Sequence, residues 1–183
     1  LPVPPKLYGG IERIIDLLVT EFVAAGHQVA LVAHPESRTV ASKCYSWPTS
    51  SSQDAMPNAR ALAKAAAEFQ PEILHSFSRL LWLLPLLGKV YPRIMSYQRE
   101  PTGRTVRLSD WLHRGRLHFT GCSAYICANG QMRGGGDWTA IHNAVSEKAY
   151  QFRATVANDA PLVFLSRIEP IKGCHNAIEI AKR

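Results

Sequence analysis

Cysteine is scarce: the four at Cys44, Cys122, Cys127 and Cys174 form no CxxC pair and share no zinc-type spacing with histidine. That excludes a dense disulfide framework and the common zinc modules, and leaves reduced thiols in a cytoplasmic protein as the plain reading. Long apolar runs are missing too. The most hydrophobic stretch, Leu80 to Leu87, is interrupted by Pro85 and falls far short of the roughly 20 residues that span a bilayer. No secretory signal, internal repeat or low-complexity block is present. There is also no GxGxxG fingerprint followed by a ribose-binding acid, which argues against a dinucleotide oxidoreductase. The formal net charge of +7 admits phosphates, nucleic acid or an acidic membrane surface as partners. Without a helix-turn-helix, zinc finger or RNP-type motif, nucleic acid has only that charge in its favour and is set aside.

What remains is an ordinary globular composition, 46% hydrophobic and 19% charged over 183 residues. Strands and helices alternate along it. Ile11, Ile14, Ile15, Leu18, Phe22 and Val23 recur at spacings of three and four, which predicts an amphipathic helix closed at Gly26. A buried strand over 28–33 follows, then a weaker extended stretch over 40–45 and a Pro/Ser/Thr-rich loop over 47–52. Further helices are predicted over 56–69, 79–90 (bent at Pro85) and 108–112, with another after a capping Ser123. Strands are predicted over 72–77, 93–97, 117–121, 139–142 and 162–165. This alternation indicates an α/β fold, a Rossmann-like doubly wound parallel sheet with ligands beyond the carboxyl ends of its strands.

Two stretches carry chemistry. Gly9 and Gly10 form a turn feeding a helix N-terminus, where unpaired N–H groups and a partial positive charge can receive an anion; a tight turn and nothing more is the simpler alternative. Arg167 and Lys172 flank a predicted strand-to-helix junction. A planar guanidinium and a mobile ammonium together suit a diphosphate, although two solvated cations would look the same.

Pro5–Arg13 with Ala25–Val29, then Ile141-His142-Asn143-Ala144-Val145, then Leu165-Ser166-Arg167-Ile168-Glu169-Pro170-Ile171-Lys172-Gly173 stand in an order that resembles one family. It is the retaining nucleotide-sugar glycosyltransferases of the two-domain GT-B fold, the group often called family 4. The resemblance implies an acceptor-side Rossmann-like domain over 1–145 and a linker over 146–160. The beginning of a nucleotide-sugar-binding domain would then occupy 161–183. It implies that Gly9 and Gly10 approach the donor phosphates and that Arg167 and Lys172 clamp the diphosphate leaving group. The sugar would pass from a nucleotide-diphosphate donor to an acceptor hydroxyl with retention, needing neither metal nor other cofactor. The acceptor stays open among lipid, saccharide and small molecule, and the location is cytoplasmic or peripheral at the inner face of the membrane.

Departures from the family pattern bear on activity. Gln98 stands where many members carry histidine near the reacting sugar; it can donate and accept hydrogen bonds but cannot ionise at neutral pH. Ser166 and Ala144 replace family glycines. The family's first strand is expected ahead of Pro2 and most of its second domain beyond Arg183, so the piece alone is expected to be inactive. Glu12, His75, Arg99 and Glu100 are candidates for the cleft, each with a plainer role as a helix-turn acid, a rim histidine or a solvated loop pair. Trp82 and the surrounding leucines read as core, with a lipid-facing patch as the alternative. Arg104, Arg107, Arg114 and Arg116 form a basic cluster suited to solvent, an anionic membrane or an acidic acceptor. The competing function is a non-catalytic sugar- or nucleotide-binding or interaction domain that kept the fold.

Overall fold

The computed structural model describes residues 1–48, 54–113 and 115–182. Most of the 47–52 loop, and Arg114, therefore lie outside the described residues. The chain divides into two compact units, Leu1–Ser146 and Glu147–Arg183.

In the first unit, α1 (Gly10–Ala24) leads to β1 (Ala30–Ala33) through Gly26, whose φ of 89° is one that glycine adopts without a Cβ penalty. β1 pairs in parallel with β2 (Lys43–Ser46). α2 (Ala55–Phe69) buries Asn58, Ala59, Leu62, Ala65 and Ala66. β3 (Leu74–Ser76) follows. β4 (Arg93–Tyr97), α3 (Gly103–His113), β5 (Leu117–Gly121), α4 (Ala124–Gly134) and β6 (Asp137–Ala140) complete the unit. Ser123 caps α4 by accepting a bond from the Ile126 N–H, as the sequence implies.

The parallel α/β architecture is as expected, but the sheet comes in two pieces: β1–β2, and β3–β4–β5–β6. The helix expected over 79–90 is instead a 3₁₀ helix over Leu80–Leu86. Pro85 has no N–H to give an α-helical bond, and the tighter coil of three residues per turn puts Leu80, Leu83 and Leu86 on one buried line. These leucines join Leu62, Met95, Val106, Leu117 and Phe119 in the core. Trp82 packs on Trp47, ring centroids 4.7 Å apart, and is part of the core margin, whereas Leu81 is exposed.

α3 begins five residues before the predicted helix at 108 because Gly103 lets it meet α4. A Cβ on Gly103 would stand 2.7 Å from the Arg133 carbonyl oxygen. β6 is displaced to 137–140, which sets Trp138 opposite Phe119.

In the second unit the strand predicted over 162–165 does not form. No strand exists among this unit's described residues, so Leu162–Leu165 has no neighbour for its backbone hydrogen bonds, and Leu162, Val163 and Leu165 are exposed. Short 3₁₀ turns at Glu147–Ala149 and Pro170–Lys172 precede α5 (Cys174–Ala181).

Candidate active site

β1 and β3 each have one edge with no strand partner among the described residues, and both line a cavity of about 1030 Å³. Ile11, Ile15, Leu18 and Val19 of α1 form one apolar wall, and Leu62 and Ala66 of α2 contribute to another. Polar groups also reach this space: Glu12, His34, His75, Ser76 and Ser78. Two of the candidate cleft residues, Glu12 and His75, therefore share one cavity.

His75 is open to this cavity, yet enough protein surrounds its ring that burial lowers its pKa to about 4. Its Nε2 lies 2.6 Å from Ser96 Oγ, and Ser96 Oγ lies 2.6 Å from Thr120 Oγ1. A polar chain thus crosses β3, β4 and β5, and a neutral imidazole can either donate to it or accept from it. Ser96 and Thr120 were legible only as strand residues; their register across β4 and β5 is what makes them partners.

The glycine turn divides into two roles. Gly9 is buried, and a Cβ there would come within 2.7 Å of Pro5 Cβ and 2.8 Å of a Glu12 carboxylate oxygen. Gly10, the first residue of α1, is exposed and has open space where a Cβ would stand. Room for a ligand therefore lies over Gly10, while the space at Gly9 is taken by the chain itself. Glu12 folds back over the turn in the first turn of the helix, where a carboxylate interacts favourably with the helix dipole.

Gln98 follows β4 and accepts a 2.8 Å hydrogen bond from Asn143 Nδ2, joining the loop after β4 to the segment after β6. This orients the Gln98 amide. Arg99 is exposed. Glu100 pairs with Arg133 of α4 at 2.7 Å, an exposed ion pair that ties the loop to the helix. In the second unit Arg167 pairs with Glu169 at 2.8 Å, and Lys172 is exposed at the end of a 3₁₀ turn closed by Gly173 at φ 70°. Irregular chain, and not the predicted strand, precedes Arg167, and Lys172 ends the 3₁₀ turn that follows it. Among the described residues no group of three His, Cys, Asp or Glu side chains gathers to hold a metal ion, and no helix is long and apolar enough to cross a membrane.

The family model described as Glycosyltransferase Family 4 matches residues 8–146. The chain belongs to glycosyltransferase family 4. No individually curated protein matches it. The family 4 match begins at Tyr8 and so takes in the glycine turn, α1, His75, the Gln98 loop and Asn143, while Arg167 and Lys172 lie outside it. As a glycosyltransferase domain it implies a sugar donor and an acceptor.

The histidines of this family 4 domain also predict acid sensitivity. Burial lowers both His75 and His113 from 6.5 to about 4, helped at His113 by the Arg93 charge. The unfolded chain takes up these protons below about pH 6.5, while the folded rings resist until about pH 4. Stability is therefore expected to fall as pH drops through that window. Urea midpoints measured from pH 7 to pH 4.5 in phosphate-free buffer should decline, and His113→Gln should flatten the slope.

Proposed function

We propose that this chain is the acceptor-side half, with the start of the donor half, of a retaining glycosyltransferase. It would transfer a sugar from a nucleotide-diphosphate donor to an acceptor hydroxyl of a lipid, a saccharide or a small molecule. The observation that carries the reading is the family match over 8–146, within which α1 opens on an exposed Gly10 with free space above it. The first N–H groups of that helix are hydrogen-bond donors to phosphate oxygens. Arg167 and Lys172 act on the diphosphate as charge builds on the leaving group, a task that cations perform without a metal. The departing phosphate assists removal of the acceptor proton on the same face, which accounts for retention. Gln98, oriented by Asn143, holds a sugar hydroxyl and does not transfer a proton. The proposed location is the cytoplasm, in solution or at the inner face of the membrane.

The large cavity is read in two parts. Its apolar depth, between the unpaired edges of β1 and β3, has the walls and the backbone groups to seat one further parallel strand, the one expected ahead of Pro2. The polar groups Glu12, His75, Ser76 and Ser78 belong to the substrate end.

The test is calorimetric binding of a panel of nucleotide sugars, followed by an assay of the full-length protein for sugar transfer. Gly10→Ala fills the open space with a methyl group and places a better helix former at that position. It is expected to leave the melting temperature unchanged or raised while weakening donor affinity about tenfold, near 1.4 kcal/mol. Unchanged affinity would remove the turn from the donor site. The second reading, a binding domain without turnover, is favoured by the non-ionisable Gln98. Donor binding with no transfer to any acceptor would select it.

A further inference from the structure

α3 is amphipathic in an inverted sense. Its buried residues are Val106, Ser109 and His113, two of them polar, whereas Leu108 and Trp111 face outward and are 56% and 73% exposed. A surface helix ordinarily turns its large apolar side chains toward the core. Arg104, Arg107, Leu108 and Trp111 stand at i, i+3, i+4 and i+7, so they form one stripe, opposite the buried line of the same helix. All four are exposed. One exposed leucine would be ordinary, but a leucine and a tryptophan side by side make an apolar patch.

That patch is set among positive charges. No ion pair among the described residues neutralises Arg104, Arg107 or Arg116. Asp110, the one carboxylate of α3, lies off the stripe, with its Cγ 3.6 Å from where a Cβ on Gly136 would stand. Beyond the carboxyl end of α3, exposed Arg116 places its Nη1 3.5 Å from the Lys89 carbonyl oxygen. Exposed Lys89 and Val90, the latter 78% exposed, therefore adjoin Arg116.

We propose that the outer face of α3 is a docking surface for a bilayer that carries anionic lipid. Trp111 and Leu108 enter the boundary between headgroups and acyl chains, where an indole buries its ring and keeps its N–H among polar groups. Arg104 and Arg107 flank them on long stems that hold each guanidinium at the level of the phosphates. Arg116 and Lys89 add attraction to a negative leaflet. A leaflet offers phosphates and hydrocarbon across one plane, and so takes both kinds of side chain from a single convex helix. This selects the membrane alternative of the location proposed above, and it draws on neither Gly10 nor Arg167.

The test is flotation of the whole chain with vesicles of equal parts phosphatidylglycerol and phosphatidylcholine, and with pure phosphatidylcholine vesicles as the control. Wild type should bind the anionic vesicles at least tenfold more tightly, and added salt should weaken that binding. Trp111→Ser should keep the wild-type melting temperature and lose anionic-vesicle affinity about tenfold. Arg104→Gln should lose about fivefold, the share of one basic residue near an anionic surface. Brominated acyl chains should quench wild-type tryptophan fluorescence more than that of Trp111→Ser. Trp111→Ser should also bind nucleotide sugars as wild type does, so failure of the donor reading and failure of this surface are distinguishable. No binding to anionic vesicles, equal binding to both vesicle types, or equal binding by wild type and both variants overturns the proposal. A lipid-free dimer that Trp111→Ser dissociates in sedimentation assigns the face to a second copy and overturns it too.

Discussion

Replacing Phe119 with alanine is expected to destabilise the first unit by about 3–5 kcal/mol, the range for deleting a buried aromatic ring from a tight core. Phe119 has no exposed surface and sits in the middle strand pair of the four-stranded sheet, opposite Met95 on one side and Trp138 on the other. Its ring stacks on Trp138 with centroids 4.8 Å apart and planes 18° apart, and Tyr97 lies 6.3 Å away. The backbone is fitted around it as well. A Cβ on Gly136, which has a φ of 86°, would stand 2.7 Å from the Phe119 ring. Because the wall at Gly136 is backbone, it cannot collapse into the space the ring leaves. Urea titration of the variant should show the loss as a lower midpoint with an unchanged slope. A cost below about 1 kcal/mol would mean that this aromatic cluster packs loosely.

Arg167→Ala is expected to lower the turnover of the full-length enzyme by about 10²–10³-fold, the effect of removing one donor aimed at charge that develops in the transition state. In the proposed reaction the diphosphate gains charge as the glycosidic bond breaks. An Arg contact that strengthens with that charge lowers kcat as well as kcat/KM, whereas one used equally in both states alters KM alone. Glu169 lies 2.8 Å from Arg167 and competes for its guanidinium, so Glu169→Gln should not reduce kcat. Stopped steady-state assays on both variants decide the matter. A kcat for Arg167→Ala within twofold of wild type would exclude the clamp. Lys172, a point charge on a flexible stem, is expected to cost less when removed.

The two magnitudes come from different kinds of structure. Phe119 acts through atoms already packed around it, so its effect is carried by the fold. Arg167 is about half exposed and has an exposed salt bridge, which contributes little to stability, so the effect expected of it rests on the proposed diphosphate contact and not on the fold.

Much of the fold was legible from local pattern. Periods of 3.6 and 2 are set by the backbone, so α1, α2, β4 and β5 were predicted to within a residue or two, and Ser123 was recognised as a cap from chemistry that involves only its own helix. The alternation of elements was enough to give a parallel α/β fold. Where proline or pairing decided the outcome, the local pattern misled. Pro85 turned an expected α-helix into a 3₁₀ helix whose buried leucines follow a period of three. Leu162–Leu165 has the composition of a strand but has no strand beside it, and a strand exists only as a pair.

The candidate site divides along the same line. Ordered short motifs sufficed to bring Gly10 and the family into view, because a turn and the helix it feeds are neighbours in the chain, whereas Gln98 was singled out through the family resemblance alone. The His75–Ser96–Thr120 chain and the Gln98–Asn143 bond join residues 21 to 45 positions apart. Sequence by itself determined which backbone each segment prefers and which residue types carry charge, since both follow from covalent structure. Only the tertiary structure decided which of those charges are buried without a partner, because burial depends on register and crossover packing that no local period encodes.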